Sequence, residues 1–373
     1  MPVLDRMVYM QFTAIVLMTI LVVKLMLLPR KALMDPVVGK ARWLMLVGIA
    51  LLDAQFLLQY KLQLRAMGVT QAVMFNLAFF IPASAFLSLG VLALERQGKI
   101  QTYNRYFLVP VWIVAMGMMI VAYLTSDKAL LSDSPQMRWA EVGASICYAA
   151  MQLHFTAQHL VELRRMHQAL ASYYDGDMAG LLKWMEYSVI VLAVIALLVP
   201  VLIFGSGKWL AVYGLFSFIS IYYFIDSFYG YVVSSAPRKV YEAERSEEEL
   251  MKEEVRHERT ASPDYLQRVQ LSVEQWVAKG GHLRSGINCP TAADEMRLPR
   301  YQLSAWLKHH GHRYNDWLAE LRIEEAKKVM QQHPDWSNES VALHCGFSDR
   351  SYFQTIFKKI TGMTPSEFQQ QQR

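Results

Sequence analysis

Long apolar runs fill the first two-thirds of the chain and stop near residue 235; beyond that point apolar positions recur at helical spacing among dense charges. Stretches of about 20 residues, enough to cross a hydrocarbon core as a helix, run at approximately Met7–Leu28, Ala41–Tyr60, Val69–Leu94, Tyr106–Leu124, Arg138–Val161, Trp184–Phe204 and Trp209–Val233. The third contains Pro82, and the fifth is interrupted by Glu141, Gln152, His154, Gln158 and His159. The first is too long for a signal-peptide core and lacks a small-residue cleavage site, so it is expected to remain as an anchor. Between Pro237 and Pro263 the chain is rich in helix formers and free of Gly and Pro, which predicts a charged helix. Val240, Ala243, Leu250, Met251 and Val255 give it only a partial apolar stripe. A plain spacer is therefore expected, with a dimerising stalk as the alternative. The expected fold is all-α, in three parts: a seven-helix transmembrane bundle over residues 1–235, a linker helix over 236–263, and a compact helical domain over 264–373.

Composition sharpens this division. The chain is 54% apolar and 18% charged, with 21 Met, an excess for a soluble protein that is concentrated before residue 235. The net charge of +5 is modest and the terminal domain only slightly basic. Nucleic-acid binding there must rest on where charges sit rather than on their sum. Loop charge also sets an orientation. Loops after spans one, three and five carry Arg30, Lys31, Lys40, Arg42, Arg96, Lys99, Arg105, Arg164, Arg165 and Lys183. The opposite set carries Arg6, Lys61, Arg65, Lys128, Arg138 and Lys208. The richer set belongs in the cytoplasm, so seven spans put the N-terminus outside and the C-terminal domain inside. Cys147, Cys289 and Cys345 form no CxxC pair and are expected to be packing residues.

Polar residues inside the apolar spans are the candidate sensing elements. Asp53, His154, Gln158 and Asp226 are singled out, because ionisable or strongly polar groups at membrane depth are costly. His154, Gln158 and Glu162 recur on one helical face. Interhelical hydrogen bonding that fixes packing is the competing explanation, and it is preferred for Gln55 and Asn76. His154 and His159, five residues apart, point to different faces and do not suggest a metal site. Span seven holds no lysine for a retinal Schiff base. No Walker loop, phosphoacceptor histidine box or metal-ligand set occurs, so neither catalysis nor a cofactor is expected.

Two segments near the C-terminus have the pattern of a helix-turn-helix: a small residue where two helices cross, a tight turn, and polar side chains on the outer face of the second helix. The first runs from Thr291 to Lys308 with Ala293 as the small residue. Leu298, Leu303 and Leu307 face inward and Arg300, Tyr301, Ser304 and Ala305 outward. The second runs from Ser340 to Lys359. Ala342 is its small residue, Gly346 its turn, Phe347 its core plug and Asp349 its cap. Tyr352 or Phe353, Ile356 and Phe357 supply the inward stripe. Arg350, Ser351, Gln354 and Thr355 then face base edges, Lys358 and Lys359 face phosphates, and Lys308 joins the DNA-binding candidates. An amphipathic helix from Tyr314 to Met330, with Trp317, Leu318, Leu321, Ile323, Ala326 and Met330 on its apolar side, would set the distance between the units. A spacing near one DNA turn, about 34 Å, would let both enter successive major grooves.

The ordered set Leu318-Ala-Glu-Leu-Arg-Ile-Glu-Glu-Ala326, Val341-Ala342, Cys345-Gly-Phe-Ser-Asp349, Ser351-Tyr-Phe353, Phe357-Lys-Lys359 and Thr361-Gly-Met-Thr-Pro365 resembles the AraC/XylS family of bacterial transcription regulators. The resemblance covers roughly Leu271 to Phe368. It implies sequence-specific binding of double-stranded promoter DNA through the outward residues named above. There are departures. Arg297 stands where the family usually has Gly, Cys289 and Ala292 are smaller than the usual aliphatics, the Lys308–Gly311 stretch is one residue short, and Asn338 replaces an apolar residue. Joined to the spans, the resemblance implies a one-component regulator in the bacterial cytoplasmic membrane. Such a protein would respond to an unidentified signal, and a homodimer is compatible with it. The alternative is a membrane transporter or membrane enzyme with a regulatory DNA-binding tail.

Overall fold

The computed structural model describes residues 2–62, 69–126, 134–176, 178–202, 207–234, 236–257 and 264–371. Among these residues every regular element is helical. Arg65, Lys128, Phe204, residue 235 and Pro263, used above for charge counting or boundaries, lie outside them. In chain order the helices are α1 (Pro2–Met26), α2 (Arg30–Leu33), α3 (Pro36–Leu62), α4 (Val69–Glu95), α5 (Thr102–Tyr106), α6 (Leu108–Leu124), α7 (Pro135–Tyr173), α8 (Lys183–Leu202) and α9 (Gly207–Val233). They continue with α10 (Ala236–His257), α11 (Asp264–Ala278), α12 (Cys289–Glu295), α13 (Arg300–His309), α14 (Tyr314–Gln332), α15 (Asn338–His344), α16 (Arg350–Thr361) and α17 (Pro365–Gln371). The chain forms two compact units: residues 1–164 with 182–237, and residues 165–181 with 238–373. The C-terminal unit also takes in seventeen residues between spans five and six.

Helices occupy most of the described residues of each apolar stretch. Four helices are long and apolar enough to cross a bilayer: Pro36–Leu62, Val73–Glu95, Thr102–Leu124 and Val212–Val233. In α1 the apolar part, Gln11–Met26, is shorter than that. The outer faces remain strongly apolar: Ile113, Ile120 and Val121 of α6, and Val212, Leu215 and Ile219 of α9, are all exposed. Exposed apolar faces of this kind are compatible with membrane insertion.

Within the first unit α3 and α4 pack along their length because glycines let the backbones close. A Cβ on Gly48 would lie 2.9 Å from the Ala83 carbonyl oxygen, and one on Gly90 2.7 Å from the Met45 side chain. Small residues at helix contacts serve this purpose where no hydrophobic effect drives association. Gly48→Val is expected to destabilise the unit by about 1–3 kcal/mol, the usual cost of overpacking. A thermal-denaturation midpoint unchanged from wild type in the same detergent would show that α3 and α4 do not meet as described.

Several polar residues of this unit are paired. Gln55 and Gln59 both donate to the Asn76 carbonyl oxygen, at 2.6 and 2.5 Å, in keeping with a packing role for Gln55 and Asn76. Thr19 donates to Asp53 at 3.1 Å. Lys24 of α1 forms an ion pair with Asp226 of α9 and lies over the Tyr229 ring. Gln158 bonds Asn104 through both its amide atoms, at 2.7 and 2.9 Å, and contacts Tyr103 and His154. His154 also meets the Tyr103 hydroxyl and stacks near Phe107. Two further pairs escaped the sequence reading as partnerships: His159 with Glu95 at 2.7 Å, both fully buried, and Arg96 with Glu162 at 2.8 Å.

Candidate nucleic-acid interface

The C-terminal unit is built around two small cores on either side of α14. Val269, Val273 and Trp276 of α11, Ala292 and Ala293 of α12, Leu303, Trp306 and Leu307 of α13, and Trp317 and Leu318 of α14 form the first. Ile323, Ala326 and Met330 of α14, with Val341, Ala342, Cys345, Phe347, Phe353 and Phe357, form the second. Both alanines expected at the helix crossings are fully buried, which lets each pair of helices close.

Local chemistry explains where each helix begins. The Asn288 carboxamide accepts from the Thr291 N–H at 3.0 Å, and Ser337 from the Ser340 N–H at 3.0 Å. Asp349 accepts from the Tyr352 N–H at 2.7 Å, as expected of the cap of the second reading helix. Thr364 and Glu367 exchange hydrogen bonds with each other's backbone at the start of α17, a capping box with Pro365 in the first turn. Asn338, the departure before the second unit, donates to the Ser366 hydroxyl at 3.0 Å. Both turns are left-handed. Gly346 has φ 82°, and Arg297, where the family usually has Gly, is held at φ 57°, a conformation that costs a residue with a side chain.

The two reading faces are not equally accessible. In α16 Arg350, Ser351, Thr355, Lys358 and Lys359 are exposed and Gln354 is half-buried. Phe353 and Phe357 fill the core while Tyr352 and Ile356 pack at its margin. In α13 Lys308 is exposed, but Arg300, Tyr301 and Ser304 are half-buried. The Arg300 guanidinium lies 5.4 Å from the centre of the Tyr173 ring, and its Nε and Nη2 are buried without a hydrogen-bond partner. Lys359 sits 3.6 Å from Asp316 of α14. Cys289 and Cys345 are core atoms: burial raises both thiols, Cys345 to about 12, so neither is a thiolate at neutral pH.

Sequence reasoning assigned no role to Arg322, which is 1% exposed. Its Nε donates to the His282 carbonyl at 2.8 Å, and its Nη2 donates to the Arg284 carbonyl at 2.9 Å and to the Asp175 carboxylate at 3.1 Å. The guanidinium thus ties α14, between the two cores, to the turn after α11. Its place within the motif at 318–326 was the available signal.

The helix-turn-helix domain family matches residues 292–371, which span both units described above. Residues 292–371 form an AraC-type helix-turn-helix domain. The chain is 36% identical over 75 residues to the "Uncharacterized transcriptional regulatory protein YesN" of Bacillus subtilis, covering 20% of each chain. It is 32% identical over 91 residues to the "Regulatory protein PocR" of Salmonella typhimurium, covering 24% of this chain and 30% of that one. It is 33% identical over 94 residues to the "HTH-type transcriptional activator RhaR" of Salmonella arizonae, covering 23% and 32%. The chain therefore spans between a fifth and a third of the length of these relatives. No solved structure matches it. The AraC-type domain implies DNA binding and points away from catalysis.

Proposed function

We propose that this protein is a membrane-integrated, one-component transcription regulator. It binds double-stranded promoter DNA through α13 and α16, and a signal received by the helices of the first unit changes that binding. The observation that carries the reading is the exposed polar face of α16, capped by Asp349 and set on a buried aromatic stripe, in a chain whose other unit has an exposed apolar surface. Phosphate contacts fall to Lys308, Lys358 and Lys359, and base contacts to Arg300, Tyr301, Ser304, Arg350, Ser351, Gln354 and Thr355. Seven spans would lie in the bacterial cytoplasmic membrane with the AraC-type domain in the cytoplasm. Asp53, His154, Gln158 and Asp226 are the sensing candidates, and their hydrogen bonds and ion pair are contacts a signal could rearrange. The signal needs only different affinities for two arrangements of the helices. A homodimer on paired half-sites suits the reading.

The test is binding of the full-length protein, in lipid nanodiscs, to duplexes enriched from a random pool. Arg350→Ala is expected to weaken the enriched sequence by about 1–3 kcal/mol, the usual worth of a good base contact, while leaving non-specific binding nearly intact. Equal loss on specific and unrelated duplexes would remove Arg350 from the base-reading set.

A further inference from the structure

The seventeen residues from Arg165 to Leu181, the last turns of α7 and the stretch after it, belong to the C-terminal unit and do more than connect. Asp175 accepts from the Gly286 N–H at 2.7 Å and from Arg322 Nη2 at 3.1 Å, so one short carboxylate bonds both the turn after α11 and the connecting helix α14. The next residue, Gly176, accepts from the Asn315 side chain at 3.3 Å, and the Asn315 oxygen accepts in turn from the Tyr352 hydroxyl of α16 at 3.1 Å. Gly176 and Met178 share a cleft of about 580 Å³ with Ser351, Thr355 and Lys359. Two residues earlier than Asp175, Tyr173 stacks on Arg300 of α13. The segment is steadied from its other side by α10, where Arg165 pairs with Glu244 at 2.9 Å and the Tyr174 hydroxyl approaches Glu242 at 3.4 Å.

Tyr173, Gly176 and Met178 therefore reach residues assigned to DNA on both reading helices. The consequence is clearest at Arg300. A guanidinium is useful to a base edge only if its donors can point outward, yet here Nε and Nη2 are covered and unpartnered beside the Tyr173 ring. Buried donors without partners are costly, which marks this arrangement as one that a better acceptor would displace. Guanine edges and phosphate oxygens are such acceptors. At α16, DNA reaching Ser351 and Thr355 would enter the cleft that Gly176 and Met178 wall.

We propose that Tyr173–Gly176, with Met178, is a clasp docked on the DNA-reading surface, held by Asp175 and covering Arg300, and that promoter binding requires its withdrawal. This rests on the DNA-reading role proposed above. The clasp follows directly in sequence on the helix that carries His154 and Gln158, so a shift along α7 has a short covalent path to the reader. Clasped protein is binding-incompetent, and the apparent affinity for DNA falls in proportion to the released fraction.

The experiment compares full-length wild type, Tyr173→Ala and Asp175→Ala in lipid nanodiscs. The probe is a labelled duplex enriched from a random pool, with separate enrichments run on wild type and on Tyr173→Ala. Tyr173→Ala removes no buried charge and is the decisive variant, because Asp175→Ala deprives Arg322 of its carboxylate and can fail to fold. Tyr173→Ala is expected to bind the enriched duplex about tenfold more tightly than wild type, within the usual range of coupling between two sites, with unchanged helicity. Equal or weaker binding by a folded Tyr173→Ala overturns the clasp while leaving the DNA-reading role in place. Enrichment of no sequence by either protein removes the DNA-reading role, and the clasp with it.

Discussion

Gly346→Ala is expected to destabilise the second helix-turn-helix by about 2–5 kcal/mol, whereas Gly362→Ala should cost only about 1–2 kcal/mol. The two glycines have the same backbone conformation, φ 82° and φ 81°, so each substitution meets the left-handed penalty of about 1–2 kcal/mol. They differ in what surrounds them. A Cβ at Gly362 would enter open space, while one at Gly346 would lie 2.4 Å from the Leu283 carbonyl oxygen and 3.1 Å from Arg322 Nε. The obstruction is backbone and a pinned guanidinium, neither of which can rotate away, and overpacking of that kind adds about 1–3 kcal/mol. Hydrogen exchange of the α15 and α16 amides in the full-length protein reads the difference as loss of protection. Matching losses in the two variants would mean that only backbone strain matters at Gly346, and that Leu283 does not approach it.

That comparison marks how far the sequence could be read. Ala342, Gly346, Phe347 and Asp349 were each legible because the demand on each is local: a crossing, a turn, a plug and a cap all sit within one supersecondary unit. The second reason for Gly346, the backbone of Leu283, comes from 63 positions upstream and leaves no trace in the turn pattern. Trp306 was missed for a similar reason. It occupies the core flank of α13, and its indole N–H finds Gln270 of α11 at 3.0 Å, a partner no local pattern points to. In the first unit the helices fall on the expected apolar runs, but polar pairing was invisible. His159 read as an interruption of the fifth span and Glu95 was not singled out; they become a pair because α4 and α7 bring them within 2.7 Å. The segment from the end of α7 to Leu181 is the largest departure. Nothing in Arg165–Leu181 distinguishes a loop that merely connects spans from one that packs against the reader, because the residue that captures it, Arg322, is 147 positions away.

Arg322→Leu is expected to cost about 3–5 kcal/mol, the usual result of removing one partner from a buried charged network, and to release the Asp175 segment as well. Leucine fills part of the volume but leaves the His282 and Arg284 carbonyls and the Asp175 carboxylate without their donor. Burial makes the interaction nearly indifferent to salt, because screening acts chiefly on exposed charges, so the loss should persist at high ionic strength. A double-mutant cycle separates the two jobs of this side chain. In Asp175→Ala/Arg322→Leu the carboxylate no longer needs a donor, so the double variant should be less destabilised than the sum of the single ones. Strict additivity by hydrogen exchange of α14 would mean that the arginine serves only the two carbonyls. Coupling would tie the stability of the AraC-type domain to the segment that covers Arg300. DNA that displaces that segment would then have to work against the Arg322–Asp175 pair, and the strength of the pair would set how firmly the reader is held closed.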